Sequence, residues 1–302
     1  MADRRLHSVF GLNGLEWLHS RSPQHGLERE CSSRCSRSPR SVFGPDALLG
    51  QALTGRGHKL LYKPYMESLL SSLSVAAPGL KCQQLDADLR SQKSNKGQEG
   101  AEVHNWLFCS NRLRRIRFTY FDAGSAGQAF NSLLYPDYRF DYPLLGIDLL
   151  AFGKGKVLCV VDFQPLSQEA SYLEKYTAGL APIREEFSIF CSKMSTRIYD
   201  ENEFFSKQLI FYRSDKGAAD PLLQVPGGLF FSTYMGYITS YLNWLHMLDP
   251  VEDLHFGTNV RSQQANYDTY SSARDPAIKM FTLYFGHKWS EQFTKEFLFP
   301  LA

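Results

Sequence analysis

A chain of 302 residues that is 43% hydrophobic and 14% aromatic carries enough apolar side chain for one large domain or two small ones with a real core. Its formal charge of +2 sets up no global basic field of the kind a nucleic-acid binder shows, and its longest apolar stretches fall well short of the ~18 residues a membrane span needs. The six cysteines are scattered without a CxxC pair, which fits reduced, structural thiols.

Residues 1–58 read as an N-terminal extension, transit-like or disordered. Apolar periodicity is weak there and Ser, Arg, Pro and Gly dominate. Residues 1–60 hold nine Lys/Arg against five Asp/Glu, whereas the remainder holds 24 against 26. An Arg-rich, Ser-rich leader resembles an organelle transit peptide, although Glu16, Glu28 and Glu30 are more acidic than such peptides usually tolerate. A stretch upstream of the true start is the competing reading. Cys31 and Cys35, with His19 and His25 before them, lack the ligand spacing of a zinc site.

A single domain is expected over 59–302. After Pro64, Tyr65, Leu69, Leu70 and Leu73 recur at helical spacing, which predicts a short amphipathic helix packed on a sheet. Residues 80–89 are ambiguous, and the polar run 90–100 is expected to be a solvated loop. From 103 to 163 the pattern predicts an antiparallel meander: strands over 103–109, 113–121 and 129–135, the last ended by Pro136, then a hairpin. Arg112, Arg114, Arg115 and Arg117 form a basic cluster on the second strand. It reads either as a solvated strand face or as a contact for carboxylates of a substrate or an acidic protein.

The hairpin, 141–166, is mostly apolar, and one carboxylate, Asp148, sits inside its first strand. Lys154-Gly155 is expected to be its tight turn, with glycine supplying the positive φ. If Gly153 pairs with Lys156, Asp148 lies opposite Val161 and shares a face with Leu150, Phe152, Val157 and Cys159. Desolvation there penalises the ionised form and raises the pKa, so Asp148 is the first candidate for a general acid.

Beyond the hairpin, 168–190 has helical periodicity interrupted at Pro182, 203–212 is a strand candidate, and 229–248 and the stretch up to Ser272 read as helices. Asp275 as cap followed by Pro276 starts another helix running through Phe285, and Gly286 separates it from a last helix over 290–299. A central sheet flanked in sequence by helices favours one three-layer α/β/α sandwich. No GxGxxG, P-loop, HExxH or GxSxG is present, so flavin, nicotinamide and metal cofactors have no sequence support.

The run PLLGIDLLAFG with VVDFQPL, together with the C-terminal NYDTYSSARDPAIKMFTLYFGHKWSEQFTKEFLFP, resembles the ferredoxin-dependent bilin reductases. The resemblance covers roughly 103–301, and within the family it leans to the dihydrobiliverdin-forming branch and the land-plant phycourobilin synthases. It implies an α/β/α sandwich with a central antiparallel sheet and a plastid enzyme that binds no cofactor. It further implies electrons from reduced ferredoxin and reduction of biliverdin IXα at the 15,16 methine bridge through substrate radicals. The family's central catalytic carboxylate falls on Asp148, and its C-terminal one on Asp275. Asp268 is the second choice for a ligand contact, with a solvated helix carboxylate as its plainer reading. Where the phycocyanobilin-forming members have a histidine, seventeen residues before the central carboxylate, this chain has Asn131. An amide orients a ligand but supplies no proton.

Three alternatives stand beside this expectation: four-electron reduction to phycourobilin, a non-catalytic bilin carrier on the same fold, and an unrelated interaction domain. The resemblance also implies a monomer, with a following bilin reductase as a further partner. Acidic ferredoxin would dock on basic residues, for which the arginine cluster and Lys279, Lys288 and Lys295 are candidates.

Overall fold

A computed structural model describes residues 57–153, 155–194, 199–200 and 202–302. Nearly all of the extension read over 1–58, the cysteines Cys31 and Cys35 with their neighbouring histidines, and Lys154 of the hairpin turn lie outside the described residues. The chain enters through α1 (Lys63–Ala76), which has Pro64 in its first turn and buries Tyr65, Met66, Leu69, Leu70 and Leu73. Proline suits that position because its missing N–H would have no intrahelical partner.

Eight strands follow: β1 (Lys81–Gln83), β2 (Ser91–Ser94), β3 (Ala101–Cys109), β4 (Leu113–Asp122), β5 (Gly127–Pro136), β6 (Leu144–Phe152), β7 (Lys156–Gln164) and β8 (Ile210–Ser214). They form one antiparallel sheet in the order β1-β3-β4-β5-β6-β7-β8, with β2 also paired to β3. The helices are α2 (Ala87–Arg90), α3 (Ala170–Thr177), α4 (Ala181–Phe187), α5 (Leu229–Met247), α6 (Leu254–Ser272), α7 (Ala277–Phe285) and α8 (His287–Gln292), and a π-helical turn spans Phe293–Leu298.

Side chains alternate across a strand, so each strand feeds two cores. On β6, Leu145, Ile147 and Leu149 join the core closed by α1 and α5. Leu144 joins the core closed by α6, α7 and α8, and Asp148 shares its parity. The second helical layer is knit by aromatic contacts, with Trp289 and Phe293 stacked at 4.6 Å between centroids and Phe281 edge-on to Phe293 at 5.0 Å. Such pairs are worth ~0.5–1.5 kcal/mol each beyond burial. The expected three-layer α/β/α sandwich is therefore the fold observed.

Several local expectations need correction. The β6–β7 hairpin closes on a Phe152–Lys156 pair, which leaves three residues in the loop and sets Asp148 opposite Val160. Glycines at both loop ends, Gly153 at φ 57° and Gly155 at φ 86°, permit this wider turn. The one-residue difference moves Val157, Cys159 and Val161 to the opposite face from Asp148. Part of the polar run 90–100 is an edge strand, because β2 pairs with residues 101–104 of β3. The strand expected over 203–212 is confined to Ile210–Ser214, the segment before it turning so that Ser206 reaches Asp162. The last helix begins at His287, directly after Gly286 at φ 91°.

Candidate functional site

A deep cleft opens between the sheet and the second helical layer, with an empty volume, mouth included, of about 1520 Å³. Its floor comes from four adjacent strands. The register sets Thr119 beside Asn131, Asn131 beside Asp148 and Asp148 beside Val160, and all four line the cleft. Directly opposed residues on neighbouring strands lie ~5 Å apart, so three polar side chains stand in a row across a floor that also carries Arg117 and Gln164 among mostly apolar residues. The roof is supplied by Tyr267 and Ser271 of α6, by Met280 and Phe281 of α7, and by Asp275 between these helices.

Asp148 has no cation in direct contact within this row; its neighbour Asn131 donates through Nδ2 to its Oδ1 at 3.3 Å. Burial pushes its carboxyl up to about 7, helped by the negative charge of Asp275 and opposed by the Asn131 hydrogen bond and the Arg117 charge. Asp148 is only partly screened by area, because one side looks into the cleft. Asp275 lines the same cleft and also accepts the backbone N–H of Ala277 at 2.8 Å. It therefore combines the cap expected at the start of α7 with a place on the cleft wall, and burial raises its pKa as well.

Asp268 lies elsewhere. It is fully buried rather than solvated, and it accepts from the Tyr135 hydroxyl at 2.7 Å and from the Leu301 N–H at 3.0 Å. Both oxygens are thus engaged in tying Leu301 to β5, and neither Asp268 nor these two partners lines the cleft. Asp162, another buried carboxyl, is pushed up to about 8 by burial, but the N–H and hydroxyl of Ser206 hold it at 2.8 and 2.5 Å.

The arginine cluster is not a solvated face. Arg112 donates to the carbonyl of Leu248, Arg114 to Gln264 at 2.6 Å and Arg115 to the carbonyl of Phe297 at 2.7 Å. These side chains staple the sheet to the helices, which removes them as a free docking surface for an acidic protein. Arg117 alone of the four lines the cleft, where it is 3% exposed and donates to Oδ1 of Asn131.

Sequence reasoning singled out Asp148, Asn131 and Asp275, which the fold brings together, but overlooked the residues that shape their surroundings. Gly146 sits two residues before Asp148 on the same face, where a Cβ would lie 2.6 Å from the Gln164 side chain. The space is needed because Gln164 crosses the floor to accept from the Tyr267 hydroxyl at 2.7 Å. A glycine inside an otherwise apolar strand was the available signal.

Comparison with known proteins gives four findings. A family model described as ferredoxin-dependent bilin reductase matches residues 68–300. A 15,16-dihydrobiliverdin:ferredoxin oxidoreductase of Gloeobacter violaceus is 39% identical over 246 residues, covering 80% of this chain and 98% of the relative. One of the same description from Nostoc punctiforme is 37% identical over 246 residues, with 80% and 98% covered. Among solved structures, phytochromobilin synthase from tomato in complex with biliverdin superposes with a TM-score of 0.67 at 18% identity, covering 80% of this chain and 83% of that one. That likeness speaks to the fold.

Proposed function

The chain belongs to the ferredoxin-dependent bilin reductases, and from that premise we propose that it reduces biliverdin IXα at the 15,16 methine bridge to 15,16-dihydrobiliverdin. Two reduced ferredoxins each supply one electron, and two protons complete the addition of hydrogen across the bridge. The observation that carries the reading is Asp148: a carboxyl inside a cleft of largely apolar lining, its pKa pushed up to about 7. A group poised near the working pH is suited to general acid catalysis.

Electron uptake makes the bilin more basic, and the neutral Asp148 carboxyl delivers a proton to the radical so formed. Asp275, raised in pKa by burial and set across the same cleft, is the candidate second donor. Asn131 orients ligand and acid and cannot itself supply the proton. The names of the cyanobacterial relatives support the choice of the 15,16 bridge.

Anaerobic incubation of the pure protein with biliverdin, ferredoxin and a reducing system tests the proposal. We expect a blue shift of the bilin absorption, because saturating a methine bridge shortens conjugation, and chromatography should identify 15,16-dihydrobiliverdin. Tight binding with no ferredoxin-dependent change would make the protein a bilin carrier. Phycourobilin as the product would establish the four-electron reaction instead.

We propose also that residues 1–58 direct the chain to a plastid, a reading supported by their Arg- and Ser-rich composition. A fluorescent fusion carrying residues 1–58 should enter plastids, and a cytosolic distribution would overturn the assignment.

A further inference from the structure

Two hydrogen bonds in the cleft determine more than their own geometry. Arg117 donates through Nη1 to Oδ1 of Asn131, and Asn131 donates through Nδ2 to Oδ1 of Asp148 at 3.3 Å. A guanidinium has five donors and no acceptor, whereas an amide has one accepting end and one donating end. With Arg117 in place, the accepting end of Asn131 must face the guanidinium and the donating end must face the carboxyl. In the flipped arrangement two sets of donors would oppose each other, and the Asn131 carbonyl would accept the Asp148 proton and hold it away from substrate.

We propose that Arg117 is a positioning residue: by fixing the Asn131 amide, it makes Oδ1 of Asp148 an acceptor and leaves the transferable proton on Oδ2. A carboxyl's unprotonated oxygen is the better acceptor, so the proton resides on the other oxygen. The inference rests on the assignment of Asp148 as proton donor. One further observation sets Arg117 apart from the stapling arginines Arg112, Arg114 and Arg115: it lines the cleft while 3% exposed.

The charged and titratable groups acting on Asp148 come from several elements. Arg117 stands on β4, Asp275 on the loop before α7 and Tyr199 on the cleft wall, and Tyr62 and Cys159 lie toward the opposite face of the sheet. A pH profile alone therefore does not isolate Arg117, and a double-mutant cycle does.

The test uses the full chain with biliverdin and reduced ferredoxin, and the variants Arg117→Met, Arg117→Lys, Asn131→Leu and the Met/Leu double variant. Arg117→Met should lower kcat ~10- to 100-fold, the scale of loss that follows misplacement of a reacting group. At the same time its alkaline limb should move to higher pH, because a positive charge that favoured the carboxylate is gone. A lower rate despite a more fully protonated acid is not what loss of charge alone produces. Arg117→Lys, which keeps both charge and donor, should retain most of the turnover. Because Arg117 acts through Asn131, the double variant should be no slower than the slower single variant. Losses that multiply would overturn the proposal.

A readout independent of turnover is the infrared carbonyl stretch of neutral Asp148 in the ligand-free protein, assigned by its disappearance in Asp148→Asn. Release of the Asn131 hydrogen bond should raise that frequency in both Asn131→Leu and Arg117→Met. An unmoved band in Asn131→Leu overturns the assignment of Oδ1 as acceptor even if Arg117→Met does not fold. If wild-type protein fails to reduce biliverdin, the functional reading falls while the infrared result still decides the proton's position.

Discussion

Asp148 and Asp162 sit on adjacent strands but differ in their surroundings. Both are raised by burial, to about 7 and about 8, but Ser206 engages Asp162 through both its N–H and its hydroxyl, while Asp148 opens on the cleft. Of these two, only Asp148 faces the cleft in which a bound molecule would sit. We expect Asp148→Asn to bind biliverdin with affinity close to wild type, measured by absorbance titration, and to lose ~10²–10⁴-fold in turnover, the usual contribution of a general acid. Activity of the wild type should fall as pH rises through about 7. Stability should follow the same direction. The folded state binds the Asp148 proton more tightly than the unfolded chain, whose carboxyl has the ordinary value of 3.8, so this group costs stability progressively as pH rises from about 4 to 7. At ~1.4 kcal/mol per pKa unit, and discounted for the wet cleft on one side, the full cost is on the order of 3 kcal/mol. Asp148→Asn should therefore gain in Tm relative to wild type at pH 8 and show little gain at pH 4.

At the level of elements, the strands that build the cleft owe their positions to packing that single residues can upset. Gly146→Ala on β6 would place a methyl 2.6 Å from the Gln164 side chain, and overpacking of this kind costs ~1–3 kcal/mol. We expect a lower Tm, with weakened bilin binding as the Gln164–Tyr267 contact shifts. On β4, Arg115→Met should lower Tm through loss of the bond to the Phe297 carbonyl, worth ~1.5–3 kcal/mol for a charged donor, and should leave the salt dependence of ferredoxin KM unchanged. The meander, α5 and α7 were legible from apolar patterning and clear stops: Pro136 at the end of β5, Asp275-Pro276 before α7 and Gly286 after it. The hairpin register was not, since two-residue and three-residue loops both suit a Gly-Lys-Gly stretch and differ by one residue in pairing. Likewise β2 carries no apolar alternation that would mark a strand; it is held by the backbone of β3 at the sheet edge. The arginines of β4 read as solvated because a sequence does not show that aromatic rings and helix-terminal carbonyls will cover them.

For the molecule as a whole, the second helical layer lies between the cleft and a group of exposed lysines. The inner side of α7 presents Met280 and Phe281 to the cleft, while Lys279 on the same helix and Lys288 on α8 are exposed. A helix with its side chains is ~10–12 Å across, so a donor seated on the outer side of α7 stands about one helix thickness from a bilin in the cleft. Net charge does not draw an acidic donor there, since residues 61–302 carry 24 Lys/Arg against 26 Asp/Glu. Attraction must be local, and screening confines it to within ~8–10 Å of the contact at physiological salt. Lys295 is compensated by Glu291 at 2.7 Å, which leaves Lys279 and Lys288 as the stronger contributors. We expect Lys279→Glu with Lys288→Glu to raise the KM for ferredoxin several-fold with kcat at saturation nearly unchanged, because exposed charges act mainly on the rate of encounter. Raising ionic strength should increase the wild-type KM and have a smaller effect on the double variant. Equal salt dependence in the two proteins would move the docking site away from α7 and α8.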